Sequence, residues 1–157
     1  FMPCASLAPA GEYTQEVALA EVQRDAYIKR VAGSINENTV RFISDAKSLG
    51  DGKAIYTQSC VACHGQQGQG GVGPNLTDEY WLHGGSVKAV YHTISEGVVE
   101  KGMMSWKKQL NPLQMQQLSS YVLSLQSTKP AGAKEAQGMK EAPALPAPAT
   151  AQKVAVR

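Results

Sequence analysis

Two thiols and an imidazole stand within five residues at Cys60-Val61-Ala62-Cys63-His64. Two residues between the cysteines set the sulfurs at the spacing of a porphyrin's two former vinyl groups. A histidine directly after the second cysteine brings a ring nitrogen to the iron. The chemistry expected is covalent attachment of one haem c through two thioether bonds, with His64 as an axial ligand. Two other chemistries use close cysteines. A zinc site needs two further ligands at comparable spacing, and the chain has no second Cys-x-x-Cys and no paired histidines three to five residues apart. A redox dithiol wants a strand before it and a helix after it. Here a helical pattern precedes the motif, and Gly65, Gly68, Gly70, Gly71 and Gly73 follow it.

The opposite face of the iron sets the redox range, because a methionine sulfur raises the potential relative to a second histidine. Met103, Met104 and Met115 are the thioether candidates, with His83 and His92 as bis-histidine rivals. Met103 is preferred: it lies on a loop between two expected helices, and Trp106 follows three residues later to wall a pocket. Met104 is the competitor. Met115 falls inside the last helix and is read as an ordinary core or surface methionine. His92 follows Tyr91 on a helix and is expected to face solvent, and His83 to bond a backbone carbonyl or a haem propionate. Pro74 is expected to offer its carbonyl to the other ring N–H of His64, the contact that fixes imidazole orientation. Tyr56, Leu76, Trp81, Trp106 and Leu118 are the expected haem wall, and each is equally plain core.

Helices must position these groups. Ser48 is a candidate cap for one running through Ile55 and Tyr56 toward Cys60. Ser86 opens another, in which Val87, Val90, Tyr91 and Ile94 repeat at helical spacing before Gly97 stops it. Asn111-Pro112 is an N-cap with proline at the first helical position, followed by the stripe Leu118, Tyr121, Val122 and Leu125. The pattern predicts an all-α domain of three to four helices around the haem, over residues 45–127. Residues 1–44 read as a leader and an exposed helical stalk. Residues 128–157, rich in alanine, proline and lysine, read as a disordered tail.

The bulk numbers narrow the partners. Residues 45–126 hold six basic and six acidic side chains, so the candidate domain is neutral, and the whole chain is +2. No basic stripe with interleaved aromatics argues for nucleic acid. Aromatic content is only 6%, which leaves a small domain short of core unless a cofactor supplies it. Cys4, after Pro3, reads as an unremarkable thiol. No apolar run of about 18 residues is present, so the chain itself is expected to be soluble. Haem attachment to cysteines takes place outside the cytoplasm, which points to an extracytoplasmic, periplasmic site.

Taken together, Cys60-Val61-Ala62-Cys63-His64, the run from Gly73-Pro74-Asn75-Leu76 through Tyr80-Trp81-Leu82-His83-Gly84-Gly85, Tyr91-His92-Thr93-Ile94, Glu96-Gly97-Val98 and Lys101-Gly102-Met103-Met104-Ser105-Trp106-Lys107 resemble the haem c domain of subunit III of cbb3-type cytochrome c oxidases. The likeness covers roughly residues 45–130. It implies a class I cytochrome c fold with His64 and Met103 as axial ligands. It also implies a place in a terminal oxidase of aerobic respiration, passing electrons from a donor cytochrome toward the membrane catalytic subunit. That subunit usually carries two haem motifs and an N-terminal membrane helix, whereas this chain shows one motif and no such helix. Either this is the soluble part of a one-haem version, cut just after its membrane helix, or the rest of a longer subunit was removed.

The residues present no acid–base pair over an open iron position, and so no catalytic site and no small-molecule substrate. An electron-transfer subunit is the reading that results. A freely diffusing periplasmic shuttle is the alternative, and the neutral candidate domain weighs mildly against its usual charged docking face. A haem sensor or enzyme is the third class.

Overall fold

The computed structural model describes residues 30–142, together with Thr14, Gln15, Ala18, Leu19, Val22 and Ala26. The chain divides into two units, residues 1–34 and 35–157. The described residues of the first unit up to Ala32 are helical. Cys4 lies outside the described residues.

Among the described residues, the regular elements of the second unit are helical apart from one two-residue strand pair and one isolated bridge. Helix α1 (Ala46–Ser59) is capped by Asp45, whose carboxylate accepts from the Ser48 backbone N–H at 2.9 Å. The cap therefore stands three residues before the expected Ser48, which instead supplies the donor. A turn of helix, α2 (Val61–His64), follows directly. Helix α3 (Val87–Glu96) starts on Ser86, whose hydroxyl accepts from Ala89 N–H, and stops at Gly97. Helix α4 (Pro112–Ser124) opens with a reciprocal capping box between Asn111 and Gln114. The starts at Ser86 and Asn111 and the stop at Gly97 fall where the sequence places them, because each is a local hydrogen-bond arrangement.

The core lies where α1 and α3 pack on α4. Tyr56, Val90, Tyr91, Ile94, Met115, Leu118, Val122, Leu123 and Leu125 are buried there. Met115 is thus a core residue. Helix α4 is buried on more than the expected stripe: Ser119 and Ser120 are sealed from solvent, their hydroxyls bonded to the carbonyls of Met115 and Gln116. That satisfaction within the helix is what lets two serines sit in a core.

Two boundaries differ from expectation. The compact unit begins at Ile35, ahead of residue 45. Val40 is buried, Ile43 N–H donates to the Ser120 hydroxyl at 3.0 Å, and Gln116 donates to the Arg41 carbonyl at 2.8 Å, so residues 35–44 dock on α4. At the other end, residues 128–142 are placed on the domain and contradict the expected disorder over that stretch. Strand β1 (Tyr80–Trp81) pairs antiparallel with β2 (Met139–Lys140), in the register Tyr80–Lys140 and Trp81–Met139. Backbone bonds and charged side chains hold this segment, so its poor apolar content did not reveal it. Residues 143–157 of the expected tail lie outside the described residues.

Candidate haem site

Tyr56 and the end of α1 deliver the Cys-x-x-Cys-His turn. Tyr56 is 1% exposed, its ring tilts against that of Tyr121 with centroids 5.4 Å apart, and its hydroxyl donates to the Gly65 carbonyl at 2.8 Å. The residue therefore ties the buried helix crossing to the loop just beyond His64. Cys60 is half-buried and Cys63 exposed, so the two sulfurs stand at a boundary between core and solvent. Burial, followed by the neighbouring Cys63, pushes the Cys60 thiol up to about 11.

His64 Nδ1 lies 3.1 Å from the Pro74 carbonyl. A carbonyl only accepts, so Nδ1 carries the proton and Nε2 keeps its lone pair for a metal. Burial lowers the imidazole's basicity, the Pro74 bond opposes that, and the Lys134 ammonium adds to it. The loop makes room for the ring at Gly73, where a Cβ would stand 2.7–3.1 Å from the imidazole atoms. Asn75, next to Pro74, is buried and accepts from both the backbone and hydroxyl of Thr77, at 2.9 and 2.7 Å.

The methionine loop folds back on α3. Val98 and Met103 exchange backbone hydrogen bonds of 2.8 and 3.1 Å. Gly97 permits this, since its φ is +73° and a Cβ there would come within 2.6 Å of the Met103 carbonyl. Trp106 N–H donates to Ile94 O, Ser105 Oγ to Ser95 O, and Lys107 Nζ to Glu96 at 2.6 Å. Met103 is half-buried and packs against the core. Met104 is 53% exposed, with its sulfur accepting from Gln109 Nε2 at 3.6 Å. Two adjacent methionines thus point to different environments.

Leu76, Trp81 and Trp106 are half-buried against the core cluster, and Leu118 is fully buried within it. Among the described residues, the Trp81 indole Nε1 is buried without a hydrogen-bond partner. His83 is exposed, and His92 is exposed with Nδ1 2.6 Å from Glu37. The site as built holds two thiols, a neutral imidazole with one nitrogen already engaged, half-buried aromatic and aliphatic faces, and an unmatched indole donor. An apolar disc with a ligated iron and carboxylate edges fits that set of donors and faces.

Sequence reasoning missed Gly52, Gly73 and Lys134. Gly52 and Gly73 each permit a close approach visible only with the tertiary partner in place. Lys134 fell in the stretch read as tail.

Residues 47–122 match the family model described as Cytochrome C oxidase, cbb3-type, subunit III. The chain is 32% identical over 129 residues to the cbb3-type cytochrome c oxidase subunit CcoP of Azospirillum brasilense, covering 73% of this chain and 43% of that protein. It is 41% identical over 78 residues to subunit FixP of Bradyrhizobium diazoefficiens, covering 47% of this chain and 26% of that one. The chain spans less than half the length of these curated relatives. Among solved structures, cytochrome cL of Methylophaga aminisulfidivorans aligns with a TM-score of 0.48 at 24% identity, over 52% of this chain and 55% of that one.

Proposed function

We propose that residues 47–122, which match the cbb3-type cytochrome c oxidase subunit III family model, form a haem c domain of class I cytochrome fold, and that the chain carries one covalent haem c and moves single electrons. Cys60 and Cys63 would hold the haem through thioethers, and His64 and Met103 would ligate its iron. The iron supplies a one-electron couple when bound. The protein's part is to hold both ligands still, so that little reorganises on electron transfer.

The observation that carries the reading is the His64–Pro74 contact of 3.1 Å, which leaves the Nε2 lone pair free to ligate a metal. The half-buried Met103 beside an outward, Gln109-bonded Met104 favours Met103 as the second ligand. Leu76, Trp81, Trp106 and Tyr56 would line or brace the haem, and the buried, unpartnered Trp81 Nε1 could donate to one of its carboxylates. The proposed partners are a donor cytochrome and the oxidase's membrane catalytic subunit, on the periplasmic face of a bacterial inner membrane. Among the described residues no helix is long and apolar enough to cross a membrane, so anchoring would fall to a segment outside them.

The test is a haem-to-protein ratio by pyridine haemochrome, with spectra of the oxidised and reduced protein. One haem per chain is expected. The weak long-wavelength band that reports methionine sulfur on ferric iron is expected too, lost in Met103→Ala and kept in Met104→Ala. Absence of the band from the parent protein would overturn the His64/Met103 assignment. In rapid mixing with a cbb3-type oxidase under oxygen, the reduced protein is expected to be oxidised; a protein that stays reduced would overturn the proposed partner.

A further inference from the structure

Lys134 is joined to the loop at residues 69–75 by four hydrogen bonds. Its backbone N–H donates to Gln69 O at 2.8 Å, and its carbonyl accepts from the buried Asn75 side chain at 3.2 Å. Its ammonium sits over two more carbonyls of the same loop, Val72 and Gly73, each at 3.4 Å. At that distance, shared between two acceptors, the ammonium acts more as a charge than as a directed donor. Gly70 is pressed against the Lys134 Cβ, where a Cβ on residue 70 would stand 2.9 Å away. Gly73 and Asn75 are the two neighbours of Pro74, the residue whose carbonyl holds His64.

The segment bearing Lys134 is itself fastened beyond that point. Strand β2 pairs with β1, Glu141 N–H donates to Glu79 O at 2.9 Å, and the Glu141 carboxylate accepts from Gly85 N–H at 2.7 Å. Lys140 Nζ lies 3.1 Å from the Glu79 carboxylate. A surface lysine on a free tail would contribute little, because its charge would be mobile and screened. Here the backbone of Lys134 and of the segment beyond it is hydrogen-bonded in place, and Lys134 is half-buried.

We propose that Lys134 is a positioning residue for the haem. It clamps loop 69–75 so that the Pro74 carbonyl stays on His64, and it holds a fixed positive charge on the proximal side that favours the reduced iron. The inference rests on the haem reading above. Its sign follows from charge alone: a nearby cation stabilises the state of the iron with one positive charge fewer.

The test uses the full haem-loaded chain and three variants, Lys134→Arg, Lys134→Met and Lys134→Gln. Midpoint potentials are measured by spectroelectrochemical titration at low and high salt, beside the ferric haem-methyl NMR shifts that report imidazole orientation. The potential should fall in the Met and Gln variants and stay near the parent value in Lys134→Arg. The haem-methyl shifts should move in Lys134→Met. Two neutral variants are made so that one folded protein suffices for the comparison, with folding checked by thermal melting. A potential and a shift pattern both unchanged in a folded, haem-loaded neutral variant would overturn the inference and leave the haem reading standing. An Arg variant that falls as far as the Met variant would overturn the charge as the cause. A parent chain that attaches no haem overturns both.

Discussion

Gly52 lies directly beneath Tyr121: a Cβ on residue 52 would stand 2.9 Å from the Tyr121 Cβ and 2.8 Å from the Gln117 carbonyl carbon. This is where α1 crosses α4, and one turn later Tyr56 meets the Tyr121 ring. Gly52→Ala would gain about 1 kcal/mol of helix propensity. It would also force two backbones apart, and overpacking of this kind costs about 1–3 kcal/mol. The obstacle is main chain, which cannot turn aside, so a net loss of about 1–2 kcal/mol is expected. Urea unfolding should show a lower midpoint at unchanged slope. An alanine variant as stable as the parent would mean that the helices do not meet this closely.

Gly73 is the floor under the His64 ring. Gly73→Ala places a methyl group 2.7–3.1 Å from three imidazole atoms, so the ring or the loop must shift. Haem should still attach, since neither cysteine is touched. The ferric absorption spectrum should acquire a high-spin fraction absent from the parent, and stability should drop by about 1–3 kcal/mol. A purely low-spin spectrum matching the parent would show that the imidazole has more room than this.

Gly138 has φ +101°, and a Cβ there would meet the Trp81 carbonyl and stand 2.8 Å from Leu82 N. Gly138→Val combines left-handed strain with a backbone clash, an effect of about 1–3 kcal/mol. The strand pair should open while the helices persist. Amide exchange at Glu141 and Gly85, whose N–H groups bond across this junction, should quicken by about tenfold or more. Unchanged protection at both amides would refute the pairing.

The Lys107 ammonium holds the Glu96 carboxyl below its usual range, helped by Ser95 and opposed by slight desolvation. A carboxyl whose folded value is depressed contributes stability above its unfolded value, about pH 4.3, and loses it as the pH falls through the folded one. The melting temperature of Glu96→Gln should therefore lie below the parent's near neutral pH. The two should converge as the pH is taken below about 4. Both groups are largely exposed, so the gap should be small and should shrink with salt. A gap that is the same at both pH values would place the difference elsewhere.

What could be read from the sequence alone was local. The Cys60–His64 spacing, the caps at Ser86 and Asn111 and the stop at Gly97 each depend on residues a few positions apart. Asp45 was passed over for Ser48 because the two ends of one capping bond are both cap-forming types. Ser119 and Ser120 looked polar and are core, since their hydroxyls bond within α4. Gly52 and Gly73 carry no side-chain signal, so their meaning exists only once Tyr121 and His64 are in place. The segment around Lys134 failed the hydrophobic test for order because hydrogen bonds and charge hold it, and those leave no periodic mark.

Lys134 follows His64 by 70 residues, yet the two belong to one loop assembly. A chain made from its amino end displays both thiols and the imidazole long before the segment that pins their loop exists. Bringing such distant pieces together is the slow part of a fold, because chain entropy is lost before the contacts repay it. Residues 134–141 thus lie across the loop that follows the Cys60–His64 turn like a latch, caught at the far end where Glu141 accepts from Gly85 N–H.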